Sequence, residues 1–185
     1  MRQALIDCGA NLGAILKTFI DQHPDRDFYA FEPNADLHTS IHDHIRDSGH
    51  PRVTVSDRAV WTHDGTIDLF LGHHESSTLL PGKWVPPVYD NDQQIDYTKP
   101  VVVPCLNFSN WLGKTFATGD DLIVKMDIEG AEYPVLRKML ADDTLRLVSV
   151  LYIEWHYDRF SWMTRDEHEE LYAAVSAQVD VREWD

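Results

Sequence analysis

Ile6-Asp7-Cys8-Gly9-Ala10-Asn11-Leu12-Gly13, almost at the start of the chain, decides the fold. Leu5 and Ile6 run apolar into an acid, two glycines bracket an asparagine, and Ala14-Ile15-Leu16 opens a helical run. That order describes a strand, a tight turn and a helix, in which glycine supplies positive φ and lets the backbone approach a ligand. Asp7 stands where the strand ends, so its carboxylate meets a cation or a hydroxyl. A phosphate-binding turn would avoid that charge. The turn therefore reads as a site for a nucleoside with a positive amino-acid tail, which describes S-adenosylmethionine (SAM).

The alternation continues beyond the turn. A strand over residues 4–7 and a helix over 14–22 precede His23-Pro24, and a second strand over 27–32 stops at Pro33. A helix through Leu37, Ile41 and Ile45 ends at Ser48-Gly49, and residues 53–60 read as a third strand. Strand–helix repeats of this kind predict a mostly parallel central sheet with helices on both faces, an α/β Rossmann-like fold. Residues 66–71 alternate as a strand after Asp64-Gly65. Residues 72–100 are irregular, with Pro81, Pro86, Pro87 and Pro100 beside Trp84, Tyr89 and Tyr97, and are expected to form a lid. Strands follow at 101–103, 122–127, 147–156 and 179–184, with helices near 108–112, 131–140 and 166–177. The whole chain, 1–185, reads as one domain with no internal repeat.

Composition narrows the function classes. Hydrophobic residues make up 43% and charged residues 25% of 185, an ordinary globular balance. The formal charge of −15, with 16 scattered Lys and Arg, disfavours nucleic-acid phosphate and anionic lipid. No apolar run approaches the ~20 residues of a membrane span and no signal peptide precedes the first strand, so a cytoplasmic protein is expected. Cys8 and Cys105 read as small buried thiols, and the His38/His42 pair as a solvated helix face.

Open α/β sheets bind ligands beyond the carboxyl ends of their strands. Glu32, in Phe31-Glu32-Pro33-Asn34, follows Asp7 by one βαβ unit and suits the two ribose hydroxyls of a nucleoside. Ser56-Asp57-Arg58-Ala59-Val60 ends the third strand where an adenine edge would lie, with Asp57 placed to accept from its amine. Alternation puts Lys125, Asp127 and Glu129 on one side of their strand, and Glu154 and His156 on one side of the next. Ionisable groups at the ends of apolar strands are paired or functional. His156 reads as a general base for a hydroxyl, with Asp127 or Glu154 orienting it. A structural ion network of Lys125 with Asp127 or Glu154 is the competing reading. Glu132 reads as a first-turn helix acid.

These segments together resemble the FkbM family of SAM-dependent methyltransferases. The likeness rests on Ile6–Gly13, Phe31-Glu32-Pro33-Asn34, Val124-Lys125-Met126-Asp127-Ile128-Glu129-Gly130-Ala131-Glu132 and Glu154-Trp155-His156, with Ser76-Ser77-Thr78-Leu79 in the family's order. It implies a class I methyltransferase fold, SAM as cofactor, and methyl transfer to oxygen on a sugar or another small natural product. By matching motifs, Asp7, Gly9, Asn11 and Gly13 would line the methionine side, and Glu32, with Asn34 of its motif, would hold the ribose. Asp57 and Ala59 would lie near adenine. Lys125, Asp127, Glu154 and His156 form the candidate catalytic group.

The chain opens directly at the first strand and ends where a further strand would complete the sheet, so a compact fold or a sheet without its last strand is expected. Trp84, Tyr89, Trp155, Tyr157 and Trp162 offer flat faces to an acceptor. Acids around Asp127 would suit a divalent cation, yet no metal is expected. Other readings are a non-catalytic SAM-fold binding module, an NAD-type oxidoreductase, for which the Gly-x-x-x-Gly spacing is poor, and an N-methyltransferase, which would want a proline-rich strand end with an aromatic.

Overall fold

The computed structural model describes residues 1–72, 76–85 and 95–183. β1 (Gln3–Cys8), β2 (Asp27–Phe31) and β3 (Val53–Ser56) alternate with α1 (Ala14–Gln22) and α2 (His38–Ser48). β4 (Ala59–Trp61), β5 (Gly65–Leu69) and β6 (Val101–Asn107) follow, then α3 (Phe108–Thr115), β7 (Asp121–Met126), α4 (Glu132–Ala141), β8 (Val150–Ile153), α5 (Arg165–Ser176) and β9 (Asp180–Glu183). Six strands form a sheet in the order β3-β2-β1-β7-β8-β9, and every pairing in it is parallel. The expected Rossmann-like architecture is present.

Period-two alternation divides the core. Ala4, Ile6 and Cys8 of β1, with Leu122, Val124 and Met126 of β7, face α3, α4 and α5. Leu5 of β1 and Ile123 of β7 face the other way, onto Leu16, Phe19 and Ile20 of α1 and Ile41 of α2. Both central strands are therefore apolar on both faces, as a sheet covered by two helix layers requires. Helix ends follow local chemistry. Thr164 and Glu167 close a reciprocal capping box on α5, and the Asn107 side chain accepts from Asn110 N at α3.

Two expectations need correction. Residues 53–60 are two strands in different sheets: β3 ends at Ser56, and β4 joins a three-stranded sheet in the order β4-β6-β5. That pairing is made by residues far downstream, from Ala59↔Cys105 to Trp61↔Asn107, and local periodicity carries no record of it. The long strand expected over 147–156 is only β8, preceded by a 3-10 turn at Leu145–Leu147. Cys8 and Cys105 are buried free thiols, as expected.

The segment expected to be a lid falls partly outside the described residues. Its described part is pinned by backbone contacts. Phe70 and Thr78 bridge antiparallel, Lys83 and Phe160 do likewise, and Trp84 N donates to Arg159 O at 2.7 Å. Among the described residues no helix is long and apolar enough to cross a membrane.

Candidate active site

The sheet order reverses between β1 and β7, and a crevice opens there beyond the strand ends, as open α/β sheets dictate. The cavity holds about 450 Å³, within the range of small-ligand sites. One wall is the turn from Gly9 to Ala14 after β1, and Glu32 and Asn34 follow β2. Asp127 and Glu129 follow β7, Glu154 and His156 follow β8, and Ser76, Leu79 and Lys83 close the side toward the small sheet.

The glycine turn is shaped by packing as much as by any ligand. Gly9 has φ 84, and a β-carbon there would overlap the Asp127 carbonyl oxygen. Its N–H and that of Ala10 both donate to Phe31 O, at 3.0 and 3.1 Å. Gly13, at φ 88, would bring a β-carbon to 2.9 Å from Ile41 Cα, so it sets the contact between α1 and α2. The N-terminus of α1 has no side-chain cap and no acid in its first turn, and Ala14 and Ile15 border the cavity. Its unpaired amides suit an anionic group.

Glu32 is buried, yet it lines the cavity. Its Oε2 accepts from Asn11 N at 2.9 Å and its Oε1 from Asn34 N at 2.8 Å, leaving one lone pair on each oxygen free. Burial raises its carboxyl above the ordinary range, against the pull of those two amides. Asn11 holds a left-handed φ of 50 in the cavity wall. Ala59 borders the cavity beside Val60.

Three other expected residues take different places. Asp7 is fully buried and does not line the cavity; its Oδ1 lies 3.4 Å from Lys125 Nζ, and neither oxygen has a well-formed hydrogen bond. Burial pushes its carboxyl up, and Lys125 opposes that. Lys125 is an anchor. Its ammonium donates to Gly9 O at 2.8 Å and lies 3.3 Å from Asp127 Oδ2, tying the turn after β1 to the end of β7. Burial disfavours its charge, but Asp7 and Asp127 outweigh that and hold it above the usual lysine range. Asp57 is exposed and lies outside the cavity wall, because the chain leaves the large sheet at Ser56.

His156 lines the cavity but is ill suited to be a base. Nδ1 lies 3.0 Å from Glu132 Oε1 and Nε2 lies 3.1 Å from Glu129 Oε2. Burial favours the neutral ring, but the two carboxylates outweigh it and push the pKa up to about 11. The imidazole is therefore a cation at neutral pH with both nitrogens engaged. Glu154 is the freer acid. It lines the cavity, its side chain is 39% exposed, and its one ion pair among the described residues is with His156 Nε2 at 3.6 Å. Burial and then the charge of Asp127 raise its pKa.

Sequence reasoning missed two partners in this network. Glu132 is wholly buried; besides His156 Nδ1 it accepts from His156 N at 3.1 Å and Gly130 N at 2.8 Å. Lys83 reaches across to pair with Glu129 and donates to Ser76 O at 3.3 Å. Thr78 Oγ1 donates to Glu129 O at 2.7 Å. Burial would raise Glu129, but His156 and Lys83 hold it below its ordinary value.

Asp127, Glu129 and His156 offer ligand atoms within 4.8 Å of one another. A cation there would have to displace Lys83 from Glu129 and the proton from His156. Of the expected aromatic faces, Trp84, Trp155, Tyr157 and Trp162 lie outside the cavity wall, and Tyr89 lies outside the described residues. Tyr157 stacks on His168, and Trp155 packs against Tyr133, His168 and Tyr172.

Residues 7–180 match the family model of the methyltransferase FkbM domain. The chain belongs to the FkbM methyltransferase family. No curated protein matches it. Among solved structures it is similar to a precorrin-6y C5,15-methyltransferase from Geobacter metallireducens GS-15, at 11% identity and a TM-score of 0.40. That alignment covers 96% of this chain and 63% of the other, so the chain spans less than two thirds of that protein. In this FkbM domain the family's Lys-x-Asp-x-Glu-Gly-Ala-Glu block is the set of residues that joins β7 to the cavity: Lys125, Asp127, Glu129 and Glu132.

Proposed function

We propose that this FkbM domain uses SAM to methylate a hydroxyl oxygen of a small acceptor such as a sugar or another natural product. The observation that carries the reading is the arrangement along one crevice of Glu32, the uncapped N-terminus of α1, and the acids after β7 and β8. The residues fit the cofactor. Glu32 keeps a free lone pair on each oxygen for a ribose hydroxyl, the α1 amides suit a carboxylate, and the acids near Asp127 suit a cationic centre. Bound there, SAM supplies an electrophilic methyl group on a positively charged sulfur.

The chain's own residues then align and deprotonate the acceptor. Alignment of the attacking oxygen supplies much of the acceleration in such a transfer. Glu154 would take the proton of the acceptor hydroxyl, and SAM held in the crevice would supply the methyl group. The raised pKa of Glu154 brings it nearer to the hydroxyl than an ordinary carboxylate, and general-base catalysis of this kind is worth about 10²–10⁴-fold. His156, held protonated, keeps Glu129 and Glu132 in place.

Calorimetry with SAM and S-adenosylhomocysteine tests the reading, with NAD as control. Micromolar binding that falls at least about tenfold in Glu32→Gln is expected, since a charged hydrogen bond contributes about 1.5–3 kcal/mol. The substituted amide retains an oxygen for one of the two backbone N–H groups, so the turn stays closed. No binding of either nucleoside by the folded wild type would overturn the proposal. Release of S-adenosylhomocysteine in the presence of neutral and acidic sugars then identifies the acceptor.

A further inference from the structure

Among the described residues four cationic side chains border the cavity, and three are already satisfied. Lys125 is spent on Gly9 O, Asp7 and Asp127, Lys83 on Glu129 and Ser76 O, and His156 on Glu129 and Glu132. Arg159 is the exception. Its guanidinium makes no hydrogen bond among the described residues; its nearest carboxylate is the largely exposed Asp158, at 3.5 Å from Nε. With Nε shared with Asp158, the four N–H groups of the two terminal nitrogens remain, on a residue that borders the cavity.

The residue is also held in place. Arg159 N donates to His156 O at 3.1 Å, Trp84 N donates to Arg159 O at 2.7 Å, and the next residue, Phe160, bridges with Lys83. The side chain is 26% exposed and lies over the Trp84 ring, 5.9 Å from its centroid. A loose surface arginine would have no such backing. We infer that Arg159 selects a methyl acceptor carrying an oxyanion, a carboxylate or a phosphate, away from the hydroxyl that is methylated. This rests on the methyltransferase reading above.

Charge around the rest of the cavity assigns that orientation. Asp127, Glu129 and Glu154 crowd the reacting end, and an anion placed among them is repelled. On the reading above, the uncapped amides of α1 would serve the carboxylate of the cofactor. What remains for a forked guanidinium is the far end of the acceptor, where two parallel N–H···O bonds read a planar carboxylate or a phosphate.

The test uses the full chain, free and loaded with S-adenosylhomocysteine, at constant ionic strength. Glucuronate and glucose 6-phosphate are titrated against glucose, with the Arg159 Nε–Hε signal followed by ¹⁵N NMR and assigned by its loss in Arg159→Gln. A saturable shift with at least one of the two anions and none with glucose is expected, and which anion acts separates a carboxylate from a phosphate acceptor. By calorimetry that anion binds at least about tenfold more weakly to Arg159→Gln, while S-adenosylhomocysteine affinity stays within about twofold. An unmoved signal, unchanged anion affinity in the variant, or an equal loss of S-adenosylhomocysteine affinity overturns the inference. Failure of the wild type to bind S-adenosylhomocysteine strikes the methyltransferase reading instead, and the titration of the free protein still judges Arg159.

Discussion

Replacing His156 by glutamine tests the charge state on which the reading of the site depends. The imidazolium is 4% exposed and bonded on both sides, with a pKa pushed up to about 11 from an ordinary 6.5. Removing one partner of a buried charge cluster costs about 3–5 kcal/mol, because the wholly buried Glu132 is left without its partner. The pH dependence is sharper than the total. Since the folded pKa is raised, the stabilisation is fully present below pH 6.5 and is lost as pH rises toward 11. Between those values the folded state holds one proton more than the unfolded state, so stability falls by about 1.4 kcal/mol per pH unit. Urea unfolding followed by tryptophan fluorescence should show the gap between wild type and His156→Gln narrowing by about 2–3 kcal/mol from about pH 7 to about pH 9. A gap that stays constant over that range would mean that His156 is neutral in the folded protein, and its exclusion as the base would collapse with it.

Glu154→Gln should lower kcat about 10²–10⁴-fold with S-adenosylhomocysteine affinity unchanged, and wild-type kcat should rise with pH through a value above the ordinary carboxylate range. Steady-state kinetics that retain kcat in the variant would move the base elsewhere. Lys125→Met should destabilise by about 3–5 kcal/mol in chemical denaturation, and adding Asp7→Asn should recover part of the loss, because the buried carboxylate is then gone. Gly9→Ala should cost at least about 3 kcal/mol, against about 1 kcal/mol for Gly49→Ala. Both glycines have positive φ, but a β-carbon at 49 meets nothing within 4 Å. Equal losses would mean that the approach to Asp127 does not constrain position 9.

The parts of this fold that were legible in the sequence are those whose pattern is local. The turn at Gly9–Gly13, the two-sided apolar strands and the acid at Glu32 each occupy a few consecutive residues, and their places in the sheet follow from order alone. The same locality hides the partner of Asp7. Alternation says that it points away from Cys8, but only the neighbouring β7 shows that Lys125 waits there, in register with it. Asp57 lies outside the cavity wall because the chain leaves the large sheet at Ser56 and crosses to a sheet built with distant β6. Lys83 left no signal at all, since it comes from an irregular segment and acts through a contact 46 residues away.

Glu132 was within reach of a closer reading. Positions 132, 135, 136 and 139 are spaced by three, one and three residues, which places them on one face of α4, and three of the four are Val135, Leu136 and Met139. A carboxylate on the face that packs against the sheet cannot be a dipole-stabilising surface acid, because its desolvation exceeds what a helix terminus returns. It needs donors or a cation from a neighbouring strand end. The strand beside β7 is followed by Glu154-Trp155-His156, and histidine is the group there able to acquire a positive charge. Followed through, that pairing makes His156 a cation from the sequence alone, and it points to Glu154, two residues earlier, as the proton acceptor proposed above.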